Sequence, residues 1–165
     1  MRRRWRGRTA VLAIVTAALL LGGVSATVGG SRSPALRVSL PDGRVVTLVP
    51  LPDDGTFALR YRNSLYGTLA EERFAVTPDG RIRLVGLGAQ QLAVLEEYYA
   101  IASPAWRAPG LGWSAVPARA PIERVLRVAA TDLGRRTLLV DGAEPLELWR
   151  LVDDASPTVR LEVER

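Results

Sequence analysis

The stretch FALRYRNSLYGTLAEERF, Phe57 to Phe74, decides the fold class. Phe57, Leu59 and Tyr61 alternate with Ala58, Arg60 and Arg62, the period of two that a half-buried strand requires. The alternation stops at Asn63 and Ser64. A second alternating run, LAEERFAV (Leu69–Val76), follows Gly67. Two such runs joined by a polar, Gly-containing turn read as an antiparallel hairpin.

Outward from this hairpin the same grammar recurs. ALRVSL (Ala35–Leu40) ends at PDG, RVVTLVPL (Arg44–Leu51) at PDDG, and TPDG (Thr77–Gly80) leads into RIRLVGL (Arg81–Leu87). Pro presets one dihedral of each turn and Gly permits a positive one. Four further strands are expected at Ile122–Ala130, Arg136–Gly142, Pro145–Val152 and Thr158–Glu164. Short strands at this spacing predict a mainly β domain over residues 35–165, a single antiparallel β-sandwich or open barrel. One short helix is expected within Gln90–Ala102, where Leu92, Leu95 and Tyr99 fall near helical spacing. Ser103–Pro121, with four prolines, Trp106 and Trp113, reads as a long ordered loop.

The N-terminus reads as an address. Arg2 to Arg8 is basic, Ala10–Leu21 is apolar apart from Thr16, and Val24-Ser25-Ala26 has the small residues a signal peptidase reads. Residues 1–26 are therefore expected to be a signal peptide or an N-terminal membrane anchor helix, with residues 9–28 as the tether and 27–34 as a linker. The Arg flank keeps the N-terminus cytoplasmic, so the domain is expected to be extracytoplasmic.

Charge and composition remove several function classes. All 22 basic residues are Arg, five of them within Arg2–Arg8, and no acid precedes Asp42. The remaining 17 arginines face 17 acids, so the folded part lacks the cationic excess of a nucleic-acid-binding surface. The chain has no His and no Cys, which excludes imidazole-based triads, thiolate nucleophiles and zinc sites built from His or Cys. No metal site and no cofactor is expected. PDDG (Pro52–Gly55) and VDDA (Val152–Ala155) lack the spacing of a calcium loop and read as solvated turns.

Six residues stand out as ligand or partner contacts: Tyr61, Asn63, Ser64, Glu72, Trp106 and Trp113. Asn63 and Ser64 either cap backbone groups where the strand ends or form the polar wall of a pocket. Glu71 and Glu72 point to opposite faces of one strand. If Ala70 and Phe74 face the core, so does Glu72, which then needs an arginine, Asn63 or the Tyr61 hydroxyl as partner. Glu71 would be solvated. Trp106 and Trp113, with Tyr98 and Tyr99, form either an aromatic platform or a cover over one end of the core.

The run Tyr61, Asn63, Ser64, then Glu71 or Glu72 and Phe74, continued by TPDG and RIRL, resembles the bacterial family called domain of unknown function eighteen-fifty. RVAATDLGRRTLLVDG and the closing strand resemble the same pattern more loosely. Asn63 stands where that pattern carries His. The resemblance implies a small exported or membrane-tethered protein beside TRAP-type solute transporters of the TAXI subclass, and hence a transport accessory. Three functions follow as expectations: a non-enzymatic domain binding a TRAP/TAXI transporter component or its ligand; a carboxylate-dependent hydrolase, for example on a glycan; or a structural envelope domain.

Overall fold

The computed structural model describes residues 34–101 and 103–165, all within one compact unit, Ser31–Arg165. The expected leader or anchor (1–26), the tether (9–28) and the linker up to residue 33 lie outside the described residues. Among the described residues no helix is long and apolar enough to cross a membrane.

The fold is mainly β, with antiparallel sheets and one short helix. The strands are β1 (Ala35–Ser39), β2 (Val45–Pro50), β3 (Thr56–Arg62), β4 (Leu69–Val76), β5 (Ile82–Ala89), β6 (Trp106–Ala108), β7 (Gly112–Ala115), β8 (Ile122–Glu123), β9 (Val125–Ala129), β10 (Thr137–Leu139), β11 (Leu146–Glu147) and β12 (Thr158–Glu164). A small sheet runs β2-β1-β12-β9; a large one runs β11-β10-β3-β4-β5-β7-β6, with β8 also paired to β5. Both sheets send side chains into one apolar core. Leu36, Val38, Val128, Val159 and Leu161 come from the small sheet, and Phe57, Leu59, Phe74, Ile82 and Leu138 from the large one. This arrangement is consistent with a β-sandwich.

The opening hairpin folds as its alternation dictates. Phe57, Leu59 and Tyr61 are buried and face inward, and β3 meets β4 with Leu59 opposite Glu72 and Arg60 opposite Glu71. A bulge then alters the phase of β5. Arg73 pairs Gly86 and Phe74 pairs Leu84, so Val85 has no opposite number. Without that extra residue, Ile82 and Leu84 would face inward while Leu87 and Ala89 faced out. With it, Leu87 and Ala89 join a second buried cluster with Tyr61, Ala70, Val94, Leu95 and Ala115.

Three expectations need correction. Ser103–Pro121 is not a loop: it contains the hairpin β6–β7, turned through Gly110 (φ +88°) and Gly112 (φ +96°). Its strands have three and four residues, too few for alternation to show against the prolines around them. Ile122–Ala130 is not one strand: it breaks at Arg124, with β8 in the large sheet and β9 in the small one. Pro145–Val152 yields only the two residues of β11 before a 3₁₀ turn, Leu148–Arg150, that buries Leu148 in the main core.

The short helix is a single π turn, Val94–Tyr98, with the Tyr99 N–H donating to the Val94 carbonyl at 3.3 Å. It buries Val94 and Leu95 on the second cluster. The chain leaves it through Ala100 at φ +48°, a left-handed conformation that L side chains rarely adopt.

Candidate functional site

Three groups of side chains surround the opening hairpin. The first is its turn. The Asn63 carboxamide oxygen accepts from the N–H groups of Leu65 (3.0 Å) and Tyr66 (3.1 Å), while its backbone pairs with Thr68 and Gly67. Asn63 is buried and caps the turn, whereas Ser64 beside it is exposed. An amide oxygen holding two N–H groups is the local chemistry that makes Asn frequent in turns.

The second group lies on the inner face. Arg136 Nη1 donates to Glu72 Oε2 at 2.9 Å, and the Tyr99 hydroxyl donates to Glu72 Oε1 at 2.8 Å. Tyr99 has one proton and gives it to the carboxylate, so the 2.5 Å contact between Tyr61 and Tyr99 must be donated by Tyr61. The chain of donors runs Tyr61 to Tyr99 to Glu72. The Arg136 guanidinium also sits 4.4 Å from the centre of the Tyr61 ring. Burial pushes the Tyr61 phenol up to about 12, against the opposing effect of its bond to Tyr99. Burial, then the Glu72 charge, holds Tyr99 well above the ordinary phenol range. Both phenols therefore stay neutral donors. The network ties the end of the π turn, β3, β4 and the segment before β10 together, and both Glu72 oxygens and both phenol hydroxyls have partners.

The third group is the outer face of the large sheet. One cross-strand row reads Thr137, Arg60, Glu71, Gly88, Ser114, Trp106. Glu71 accepts from Arg60 (2.8 and 3.1 Å) and from Arg73 (3.1 Å), so it is ion-paired and not solvated as expected. Arg73 reaches across Gly88 to donate to Ser114 Oγ at 2.7 Å. A Cβ on Gly88 would stand 2.9 Å from the end of the Arg73 guanidinium and would push it aside. Beside this row lies an apolar groove of about 570 Å³, lined by Ala58, Val85, Leu139, Ala143 and Pro145, with Arg73 and Asp141 at its border.

The residues singled out in the sequence do not form one site. Tyr61 and Glu72 meet in the inner network, Asn63 caps a turn and Ser64 is exposed. Trp106 and Trp113 share the β6–β7 hairpin but face opposite sides. Trp113 pairs Ala89 and packs on the second cluster beneath the Arg107 guanidinium, 3.9 Å from its ring. Trp106 pairs Ser114 on the outer face, 47% exposed. A single platform of both is therefore ruled out. Sequence reasoning missed Arg136 and Tyr99 as the partners of Glu72, although the demand for an arginine was visible. The Gly86-x-Gly88 alternation was the available signal for the Arg73 crossing. Asp54 and Asp153 cap the N–H groups of Thr56 (3.0 Å) and Ser156 (2.9 Å), as turn residues do.

No family model, no curated protein and no solved structure matches this chain.

Proposed function

We propose that the domain is a non-catalytic, extracytoplasmic binding module that holds a segment of a partner protein on the outer face of its large sheet. The observation that carries this reading is the groove along Ala58, Val85, Leu139 and Pro145, which the described residues leave open. The inner face of the same sheet is covered by the small sheet and the π turn, and its carboxylate Glu72 is already held by Arg136 and Tyr99. On the outer face Val85 (39%), Ile122 (42%) and Trp106 (47%) stay exposed, with Arg83 opposite Ile122. An apolar patch rimmed by charge is what partner surfaces present.

The resemblance noted above suggests the partner: a component of a TRAP/TAXI-type transporter. The basic, then apolar, N-terminus supports export. The binding reading is preferred to the carboxylate hydrolase because Glu71 and Glu72 stand on opposite faces, each held by arginine. Two carboxyl groups that flank one bond must share a cleft.

The test is crosslinking of the tagged full chain in its own membranes, followed by mass spectrometry. Wild type should recover a transporter component, and Val85→Glu, which puts bulk and negative charge in the groove, should lose it. Recovery undiminished by Val85→Glu and Trp106→Ala would remove the outer face from consideration.

A further inference from the structure

Next to the groove, toward the end of β3, lies a smaller pocket of about 160 Å³ lined by Arg60, Tyr61, Arg62, Leu69, Arg135 and Thr137. At roughly 30 Å³ per water it has room for about five waters, enough for a small charged group. Three of its six lining residues are arginines and none is an acid.

The carboxylates nearby do not balance this charge. Glu71 is shared between Arg60 and Arg73. Asp132 stands 3.6 Å from Arg135, both more than half exposed, a spacing at which a solvated pair contributes little. Arg62 is exposed and makes no ion pair among the described residues. Residues 1–33 contain no acid and so have no side-chain carboxylate to offer it. Four guanidinium groups (Arg60, Arg62, Arg73 and Arg135) thus face two carboxylates. Arg135 also holds a left-handed backbone, φ +47°, in the loop that closes over β3 through the Arg62 N–H to Gly134 carbonyl bond of 2.7 Å.

We propose that this pocket is a carboxylate-binding site, in which Arg62 and Arg135 grip the two oxygens and Arg60 contributes charge from the side of Glu71. Planar guanidinium forks match a carboxylate in two-point geometry. The apolar groove alongside takes the carbon skeleton that carries the carboxylate. For the nature of its occupant the proposal rests on the binding reading above. The carboxylate comes either from an acidic residue of the partner segment or from a free organic acid.

The experiment follows the arginine Nε–H signals of the ¹⁵N-arginine-labelled full chain in detergent. Sodium acetate is titrated against sodium chloride at equal ionic strength. Saturable shifts confined to Arg60, Arg62 and Arg135 are expected with acetate. At least a fivefold weakening is expected in Arg62→Gln and again in Arg135→Gln, with the other signals unmoved as a check on folding. Shifts equal to those in chloride, full binding by both variants, or saturation by inorganic phosphate at tenfold lower concentration than acetate would overturn the carboxylate assignment. A second arm compares the capped peptides acetyl-Leu-Asp-Leu-amide and acetyl-Leu-Asn-Leu-amide with acetate. A peptide preference that depends on Asp assigns the carboxylate to a partner segment; acetate binding without it assigns a free acid. Val85→Glu should leave acetate binding intact, so partner recovery undiminished by Val85→Glu, with acetate binding retained, marks failure of the groove reading alone.

Discussion

Glu71 and Glu72 are adjacent in the chain and belong to opposite worlds. Glu72 lies on the inner face, where its carboxylate is fixed by Arg136 and Tyr99, with both ion-pair side chains less than one-fifth exposed. Glu71 lies on the outer face between two arginines that are each about two-fifths exposed. The period of two in a strand makes this division unavoidable. The inner pair is enclosed by packing, so removing one partner strands a charge away from water. The outer pairs are open to solvent on the arginine side, so removing one lets water take its place. The same ion-pair chemistry therefore acts as structure on one face and leaves an adjustable surface on the other.

The sharpest break in the comparison comes from the apolar layer beneath the inner network. Leu59 is fully buried and sits opposite Glu72. Leu59→Ala should lower stability by about 3 kcal/mol, within the range for large-to-small core changes, measured by urea unfolding. Arg136→Ala should follow at about 2–3 kcal/mol, because it leaves Glu72 without its cation. Arg136→Lys should recover only part of this, since a single ammonium cannot both pair with Glu72 and cover the Tyr61 ring as the guanidinium does.

Alkaline pH sharpens the contrast next. Tyr61 titrates at about 12 in the folded chain, against about 10 when unfolded, and Tyr99 is raised further. Above pH 10 the unfolded chain releases these protons and the folded chain keeps them, so stability should be full below pH 10 and fall as pH rises toward 12. Tyr99→Phe should flatten that fall in thermal melts recorded across the window. An unchanged slope in Tyr99→Phe would count against the network as its cause.

On the outer face the expected effects are smaller. Glu71→Gln should cost about 1 kcal/mol or less, and high salt should shrink the difference further. Gly88→Ala should cost less again, because the atom its Cβ meets is the end of a flexible arginine. Its signature would be loss of the Arg73–Ser114 bond, visible as a shifted Arg73 Nε–H signal.

The hairpin and its neighbours were legible because their signals are local. Alternation placed β1 to β5 and β12 to within a residue or two, and the turn sequences marked where each ends. The inward direction of Glu72 was legible for the same reason. Its partner was not, since Arg136 is 64 residues away and only the pairing of β10 with β3 brings it close. The β6–β7 hairpin was hidden because strands of three and four residues hold no more than two periods of alternation. The sheet change at Arg124 was hidden because both halves alternate equally well; their partners alone distinguish them.

By itself the sequence determined the mainly β class, the positions of the longer strands and the turn signals between them; for Asn63 it left a cap and a pocket wall as alternatives, and the structure shows the cap. It also determined what chemistry is out of reach, by containing no His and no Cys. These depend on neighbours along the chain, whose geometry the backbone fixes within a few residues. Tertiary structure alone decided that Trp106 and Trp113 part company, that the bulge at Val85 brings Leu87 and Ala89 inward, and that arginines from β3 and the loop before β10 share a pocket without an acid. Each of these depends on register and on which strands lie side by side, set by the summed burial of the whole core and not by any segment within it.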